Sequence, residues 1–89
     1  MPTRELRLIN RRGLHARAAT KLVQCCQPFS ARVAVNHGER SADAANIMSL
    51  LMLAAPCGTV LTVMTEGEDA EDAMSAIEAL FDARFHEDE

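Results

Sequence analysis

Gly13-Leu14-His15-Ala16-Arg17 sets an imidazole and a guanidinium two residues apart, where a turn gives way to a helical pattern. Helices are capped well by Ser, Thr, Asp and Asn, so a histidine at this junction calls for another reason. The first N–H groups of a helix have no internal partner and carry partial positive charge, so an anion held ahead of them is stabilised without further machinery. Neutral imidazole is a nucleophile near physiological pH. An N–P bond is labile enough to hand its phosphoryl group onward, which a serine ester does not do readily. Arg17 can reach the same oxygens with a planar fork of donors, and such charge-assisted bonds are about twice as strong as neutral ones. His15 is therefore a candidate phosphoryl acceptor, Arg17 its clamp, and the backbone N–H groups of Ala16, Arg17 and Ala18 its anion cradle. On spacing alone, an ordinary turn histidine beside a solvated arginine is the plainer reading.

The elements that must position this pair follow from periodicity. Arg4 to Ile9 alternates with a period of two, Leu6 and Leu8 on one side, and predicts a half-buried strand. Asn10 to Gly13 is a turn, and from His15 the residues Ala18, Ala19, Leu22, Val23 and Cys26 recur at helical steps until Pro28 stops them. A strand over Ala31 to Val35 reverses through Asn36-His37-Gly38 into a short one over Glu39 to Ala42. Asn46 caps a short helix that is apolar nearly all round and ends before Pro56-Cys57-Gly58. Thr59 to Thr65 is β-branched and makes the fourth strand. A final helix carries the stripe Ala70, Ala73, Met74, Ile77, Leu80, Phe81 and Phe85, with Glu68, Asp69, Glu71 and Asp72 in its first turn and a frayed acidic tail at 87–89. The order β-α-β-β-α-β-α predicts an α+β domain: a four-stranded antiparallel sheet with three helices on one face and the other face wet.

Eighty-nine residues make one domain with a core too small to enclose a deep cavity, so function is expected on the surface. The longest apolar run, Ile47 to Pro56, falls short of the roughly 20 residues of a membrane span, and the N-terminus lacks a signal-peptide stretch. A cytoplasmic protein is expected. The net charge of −4 conceals a basic first quarter and an acidic last one, but with Phe29, Phe81 and Phe85 as the only aromatics there is no stacking platform for nucleic acid. Cys25, Cys26 and Cys57 read as reduced packing residues. Cys25 and Cys26 lie about 15 Å along the helix from His15, too far to share a metal, and none is expected. His37 and His86 read as solvent-exposed.

The wider segment Asn10-Arg11-Arg12-Gly13-Leu14-His15-Ala16-Arg17-Ala18-Ala19 closely resembles the active-site segment of the HPr family of histidine phosphocarriers. The likeness extends to Gly58-Thr59, to Glu66-Gly67-Glu68-Asp69 and to the order of elements, and implies an open-faced β-sandwich. It implies that His15 is phosphorylated through its δ nitrogen, with Arg17 and the helix N-terminus around the phosphate. The donor would be an enzyme I of the phosphoenolpyruvate-dependent phosphotransferase system and the acceptor a IIA protein. Such a carrier completes no turnover alone and needs no cofactor. Ala44-Ala45-Asn46, the run Leu50 to Leu53 and the ending from Ala79 to Glu89 look most like the nitrogen-related branch, NPr.

The family usually has proline at Ala18, so the resting geometry of Arg17 is the detail this departure puts in question. Asn46 stands where many HPr proteins carry a kinase-target serine, which an amide cannot replace as phosphate acceptor. Ile47, Met48 and Leu51 cannot all face one sheet and are docking candidates; by the resemblance Thr20 and Lys21 of the first helix join them. Gln24, Gln27 and Ser49 replace lysines common in the sugar branch. Transient docking implies a monomer. Sugar-transport HPr is one alternative, and a non-catalytic regulatory or metal-handling α+β domain is another.

Overall fold

The computed structural model describes residues 2–87. β1 (Thr3–Arg7), α1 (Ala16–Cys26), β2 (Arg32–His37), β3 (Arg40–Asp43), α2 (Ile47–Leu51), β4 (Val60–Glu66) and α3 (Ala70–Asp82) follow the expected order, and a short 3-10 turn spans Arg84–His86. The sheet order is β1-β4-β2-β3, with all three pairings antiparallel. This is the expected four-stranded antiparallel sheet with three helices on one face.

Alternation along the strands decides which face is covered. The pairs Leu6↔Leu61, Val35↔Val63 and Val35↔Ala42 put Leu61, Val63, Val35 and Ala42 under the helices, none more than 4% exposed. One residue along, Glu5, Thr62, Asn36 and Ser41 form a polar row across the open face. α1 buries Ala18, Ala19, Leu22 and Cys26, and α3 buries Ala70, Ala73, Met74, Ile77, Leu80 and Phe81. Each large side chain among these contributes about 1.5–3 kcal/mol by leaving water. Thr65, fully buried on β4, satisfies its hydroxyl at the Ala70 carbonyl, 2.9 Å away, which ties the central strand to the start of α3. No helix among the described residues is long and apolar enough to cross a membrane.

Several expectations need correction. β1 ends at Arg7 rather than Ile9: Leu8 stays buried but bonds to Thr59 and Gly58 beyond the regular register, and Ile9 is exposed. Asn36 and His37 belong to β2, because Gly38 alone takes the positive φ the two-residue loop requires, and β3 starts at Arg40. His37 is not simply solvated: it is half-buried, with Nδ1 3.0 Å from the Leu53 carbonyl. Cys57 is not a packing residue but an exposed one. Asp69 is the N-cap of α3 rather than part of its first turn, and its side chain is turned away from the helix: the carboxylate accepts the amides of Ser30 and Ala31, each at 2.8 Å. Glu68 lies outside the helix too.

The largest departure is at the C-terminal end. α3 stops at Asp82, and Arg84, Phe85 and His86 take φ values of 55°, 55° and 61° in succession. Left-handed backbone costs an L-residue roughly 1–2 kcal/mol. Burial compensates, because Phe85 is fully enclosed with its ring 4.9 Å from that of Phe81. Its carbonyl also accepts the Lys21 ammonium at 2.6 Å. Glu87, expected in a frayed tail, is instead anchored; Asp88 and Glu89 lie outside the described residues.

Candidate functional site

His15 is held by three local devices. The Gly13 amide bonds to the Asn10 carbonyl at 3.1 Å and the fully buried Asn10 side chain donates back to the Gly13 carbonyl at 2.8 Å, so the turn is closed from both sides. Leu14 anchors the next step, 4% exposed, with its amide on the Ala55 carbonyl at 2.9 Å. His15 itself is extended (φ −90°, ψ −177°) and occupies the N-cap of α1, whose first ladder bond runs from the Ala19 amide to the His15 carbonyl. The amides of Ala16, Arg17 and Ala18 come before that ladder, which leaves them directed out of the helix end.

The imidazole is 24% exposed and both nitrogens are engaged. Nδ1 accepts the Arg17 amide at 3.3 Å, which gives histidine the cap role that sequence preference assigns to shorter side chains. Nε2 lies 2.5 Å from Oε2 of Glu87. An N–H on one side and a carboxylate on the other assign the proton: Nδ1 carries the lone pair and Nε2 donates. The ring is therefore presented with its nucleophilic nitrogen toward the positive end of α1.

Glu87 is held in turn. Its Oε1 accepts from Asn10 Nδ2 at 3.0 Å, and its side chain is only 10% exposed. Burial pushes its carboxyl up, but the hydrogen bonds from Asn10 and His15 and the charges of His15 and Lys21 outweigh that and hold it below the usual value. Asn10 cannot be turned over, since its oxygen would then face a carbonyl and a carboxylate; in the orientation it keeps, Oδ1 is buried without a partner among the described residues.

The other expected residues fall around this centre. Ala16 and Arg17 are exposed, and Ala18 is fully buried, so only its backbone faces the site. The Arg17 guanidinium forms no ion pair among the described residues. Thr20 spends its hydroxyl on the Ala16 carbonyl at 2.8 Å, and Lys21 is committed to Phe85. On α2, Asn46 caps through Oδ1 to the Ser49 amide at 3.1 Å. Leu50 is buried, Leu51 half-buried, and Ile47 and Met48 are exposed at 36% and 66%. Met52, 72% exposed, joins them, a residue outside the expected docking set. Among the described residues no three His, Cys, Asp or Glu side chains converge as a metal site. Asn10 and Glu87 are the site residues that sequence reasoning missed; the one available signal was Asn10 inside the quoted motif, since Glu87 lies 72 residues from His15.

Comparison with known proteins shows which family the chain resembles. The model of the family described as "PTS HPr component phosphorylation site" matches residues 2–83. The chain is 44% identical to phosphocarrier protein NPr of Shewanella violacea, over 94% of this chain and 92% of that one. It is 43% identical to phosphocarrier protein HPr of Xylella fastidiosa, over 94% of each. The solved structure of an HPr from Thermoanaerobacter tengcongensis superposes with a TM-score of 0.95 at 31% identity and covers 100% of both chains.

Proposed function

The chain belongs to the HPr family of phosphocarriers of the phosphotransferase system, and from that premise we propose that His15 carries the phosphoryl group on Nδ1, with Arg17 and the first-turn amides around its oxygens. The observation that carries this reading is the N-cap position of His15 with Nδ1 turned to the Arg17 amide. On charging, the Nδ1 lone pair forms the N–P bond while the bond from phosphorus to the donor breaks and its electrons return to the donor. The phosphoryl oxygens then replace Nδ1 as acceptors for the amides of Ala16, Arg17 and Ala18, and Arg17 swings its fork onto them. Transfer onward is the same step reversed, with the electron pair of the N–P bond returning to Nδ1. The imidazole neither gains nor loses a proton.

Proteins of this family work with enzyme I and IIA proteins. The donor here is an enzyme I charged by phosphoenolpyruvate and the acceptor a IIA protein, both met by the surface of α1 and α2 around Thr20, Lys21, Ile47, Met48 and Leu51. The carrier is a cytoplasmic monomer that completes no turnover alone. We assign it to the nitrogen-related branch. Ala44-Ala45-Asn46 with the run Leu50 to Leu53 supports this, as do Gln24, Gln27 and Ser49, which take positive charge off the docking face. Asn46 fills the cap of α2 without offering a hydroxyl for regulatory phosphorylation. Sugar-transport HPr is the second reading, favoured by relatives of that name at nearly equal identity.

The test is to incubate the protein with phosphoenolpyruvate and either the nitrogen-system or the sugar-system enzyme I and look by intact mass for one acid-labile phosphoryl group. Rapid charging by the nitrogen enzyme, lost in His15→Ala, is the expected result. Preference for the sugar enzyme would move the chain to the other branch, and charging that survives His15→Ala would remove His15 from its role.

A further inference from the structure

Two features around His15 are unfavourable in themselves, and both serve to place one carboxylate. Three successive residues, Arg84, Phe85 and His86, have positive φ, a run that persists only where its surroundings over-determine it. Buried Asn10 leaves Oδ1 without a partner among the described residues while its Nδ2 reaches both the Gly13 carbonyl and Glu87. The outcome is that Glu87 sits across the far edge of the imidazole, Oε2 on Nε2 of His15 and Oε1 on Asn10.

We propose that Glu87 is a positioning residue for phosphoryl transfer: its carboxylate holds the Nε2 proton of His15, fixing the ring with Nδ1 toward the helix N-terminus before and during charging. This rests on the reading of His15 as the phosphoryl acceptor. When Nδ1 bonds to phosphorus while Nε2 keeps its proton, the ring becomes positively charged, and the adjacent carboxylate stabilises that charge. Holding the proton matters for release as well. From the protonated ring the leaving group is neutral imidazole, whereas a ring that has lost the proton would have to leave as an imidazolate. Among the described residues, Glu87 of the C-terminal segment is the charged group bonded to the ring, Lys21 of α1 acts on that carboxylate, and Arg17 follows in the first turn of α1; of these the carboxylate alone favours the protonated ring. A carboxylate that fixes which nitrogen a histidine presents is a recurrent device in sites where the other nitrogen reacts.

The experiment follows the His15 ring nitrogens by long-range proton–nitrogen NMR in the full chain, in wild type, Glu87→Gln and Glu87→Ala, from about pH 5 to 9. Spectra are taken before and after charging by phosphoenolpyruvate and enzyme I, alongside the rate of onward transfer to the IIA protein. Backbone amide spectra establish that each variant is folded. In wild type the expected signature is a bare Nδ1 and a slowly exchanging proton on Nε2. Glu87→Ala loses the slow exchange. Glu87→Gln keeps one acceptor oxygen, to be shared between the donors of His15 and Asn10, but not the charge. In both variants onward transfer from the phosphorylated ring is expected to fall off at a lower pH than in wild type, because the carboxylate no longer favours the protonated ring. Identical ring signals and identical midpoints in three proteins that charge normally would overturn this inference alone. A wild type that takes up no phosphate would overturn the reading on which it rests, and the transfer role with it.

Discussion

A Cβ built on Gly13 would lie 2.5 Å from the carbonyl oxygen of Ala55, the same oxygen that accepts the Leu14 amide at 2.9 Å. The turn that carries His15 is thus seated directly on the backbone behind α2, and Gly13 sits there at φ +67°. A side chain at this position meets both a left-handed backbone and a backbone wall that cannot swing away. Gly13→Ala is expected to cost about 2–3 kcal/mol and to lower Tm by more than about 10 °C. Charging of His15 should fall with it, because the Leu14 bond that sets the histidine is broken. A thermal melt within about 2 °C of wild type would show that the turn has room to move.

Asp69 joins two loops on the other side of the molecule. Its carboxylate receives the amides of Ser30 and Ala31, and beside it a Cβ on Gly67 would lie 3.0 Å from the Ala31 Cα. Hydrogen bonds to a charged acceptor contribute about 1.5–3 kcal/mol each, less where water competes. Asp69→Ala is expected to destabilise by about 1–2 kcal/mol and to speed hydrogen exchange at Ser30 and Ala31 selectively. Uniform exchange in the variant would mean these bonds do not hold the loops together.

These two sites differ in what the sequence could reveal. Periodicity located α1 and the buried stripe of α3, because Ala18, Ala19, Leu22 and Cys26 repeat at steps that only a helix turns to one side. The candidate pair His15 and Arg17 came from the turn-to-helix junction, again a local pattern. Glu87 came from nothing local. It reaches His15 through a tertiary fold-back, and the left-handed turn that aims it breaks a stripe in which Phe85 stands at the helical step from Phe81. Phe85 was legible as core but not as the end of the helix, since burial and periodicity give the same signal there. Cys57 misled in the opposite direction, because an apolar residue type next to Pro56 and Gly58 says nothing about which way the loop faces.

The three thiols are expected to react in order of exposure. Cys57 is exposed, Cys25 half-buried with its thiol pushed up by burial, and Cys26 buried, its thiol pushed up to about 12 by burial and by the charges of Cys25 and Asp43. Alkylation of the native protein near pH 8 should modify Cys57 first and leave Cys26 intact until the protein unfolds. The same shift has a stability consequence. A thiol whose folded value lies above its unfolded 9.0 contributes fully below that pH, and its contribution is lost as pH rises from 9.0 toward about 12, because only the unfolded chain can ionise it. Denaturant midpoints that stay flat from pH 8 to about 9 and then fall, less steeply in Cys26→Ala, would bear this out. Equal labelling of Cys26 and Cys57 in the folded state would refute the order.

Acid should release the C-terminal segment before it unfolds the core. Glu87 is held below its ordinary 4.5 chiefly by Asn10 and His15, against an opposing push from burial, so the stability it contributes is present above 4.5 and lost as pH falls through the lower folded value. The amide of Glu87, bonded to the Arg84 carbonyl at 3.0 Å, is expected to lose protection in that range while β4 amides keep theirs. Simultaneous loss at both places would mean that the segment is not a separate unit.

The exposed apolar residues of α2 are the last to be tested, and stability separates docking from core. Leu50 is fully buried, so Leu50→Ala should cost about 2–5 kcal/mol whatever the helix binds. Met48 and Met52 are 66% and 72% exposed and lose little packing when replaced, so Met48→Asp and Met52→Asp should change stability by no more than about 0.5 kcal/mol. If these side chains seat in a partner's apolar groove, each replacement would bury an unpaired carboxylate there and raise KM for the carrier in charging by enzyme I by about tenfold or more. The rate at saturation should not change, because His15 and its amides are untouched. An effect on the saturated rate with KM constant would place the methionines in the reaction rather than in recognition. No effect on either would move the docking surface off α2.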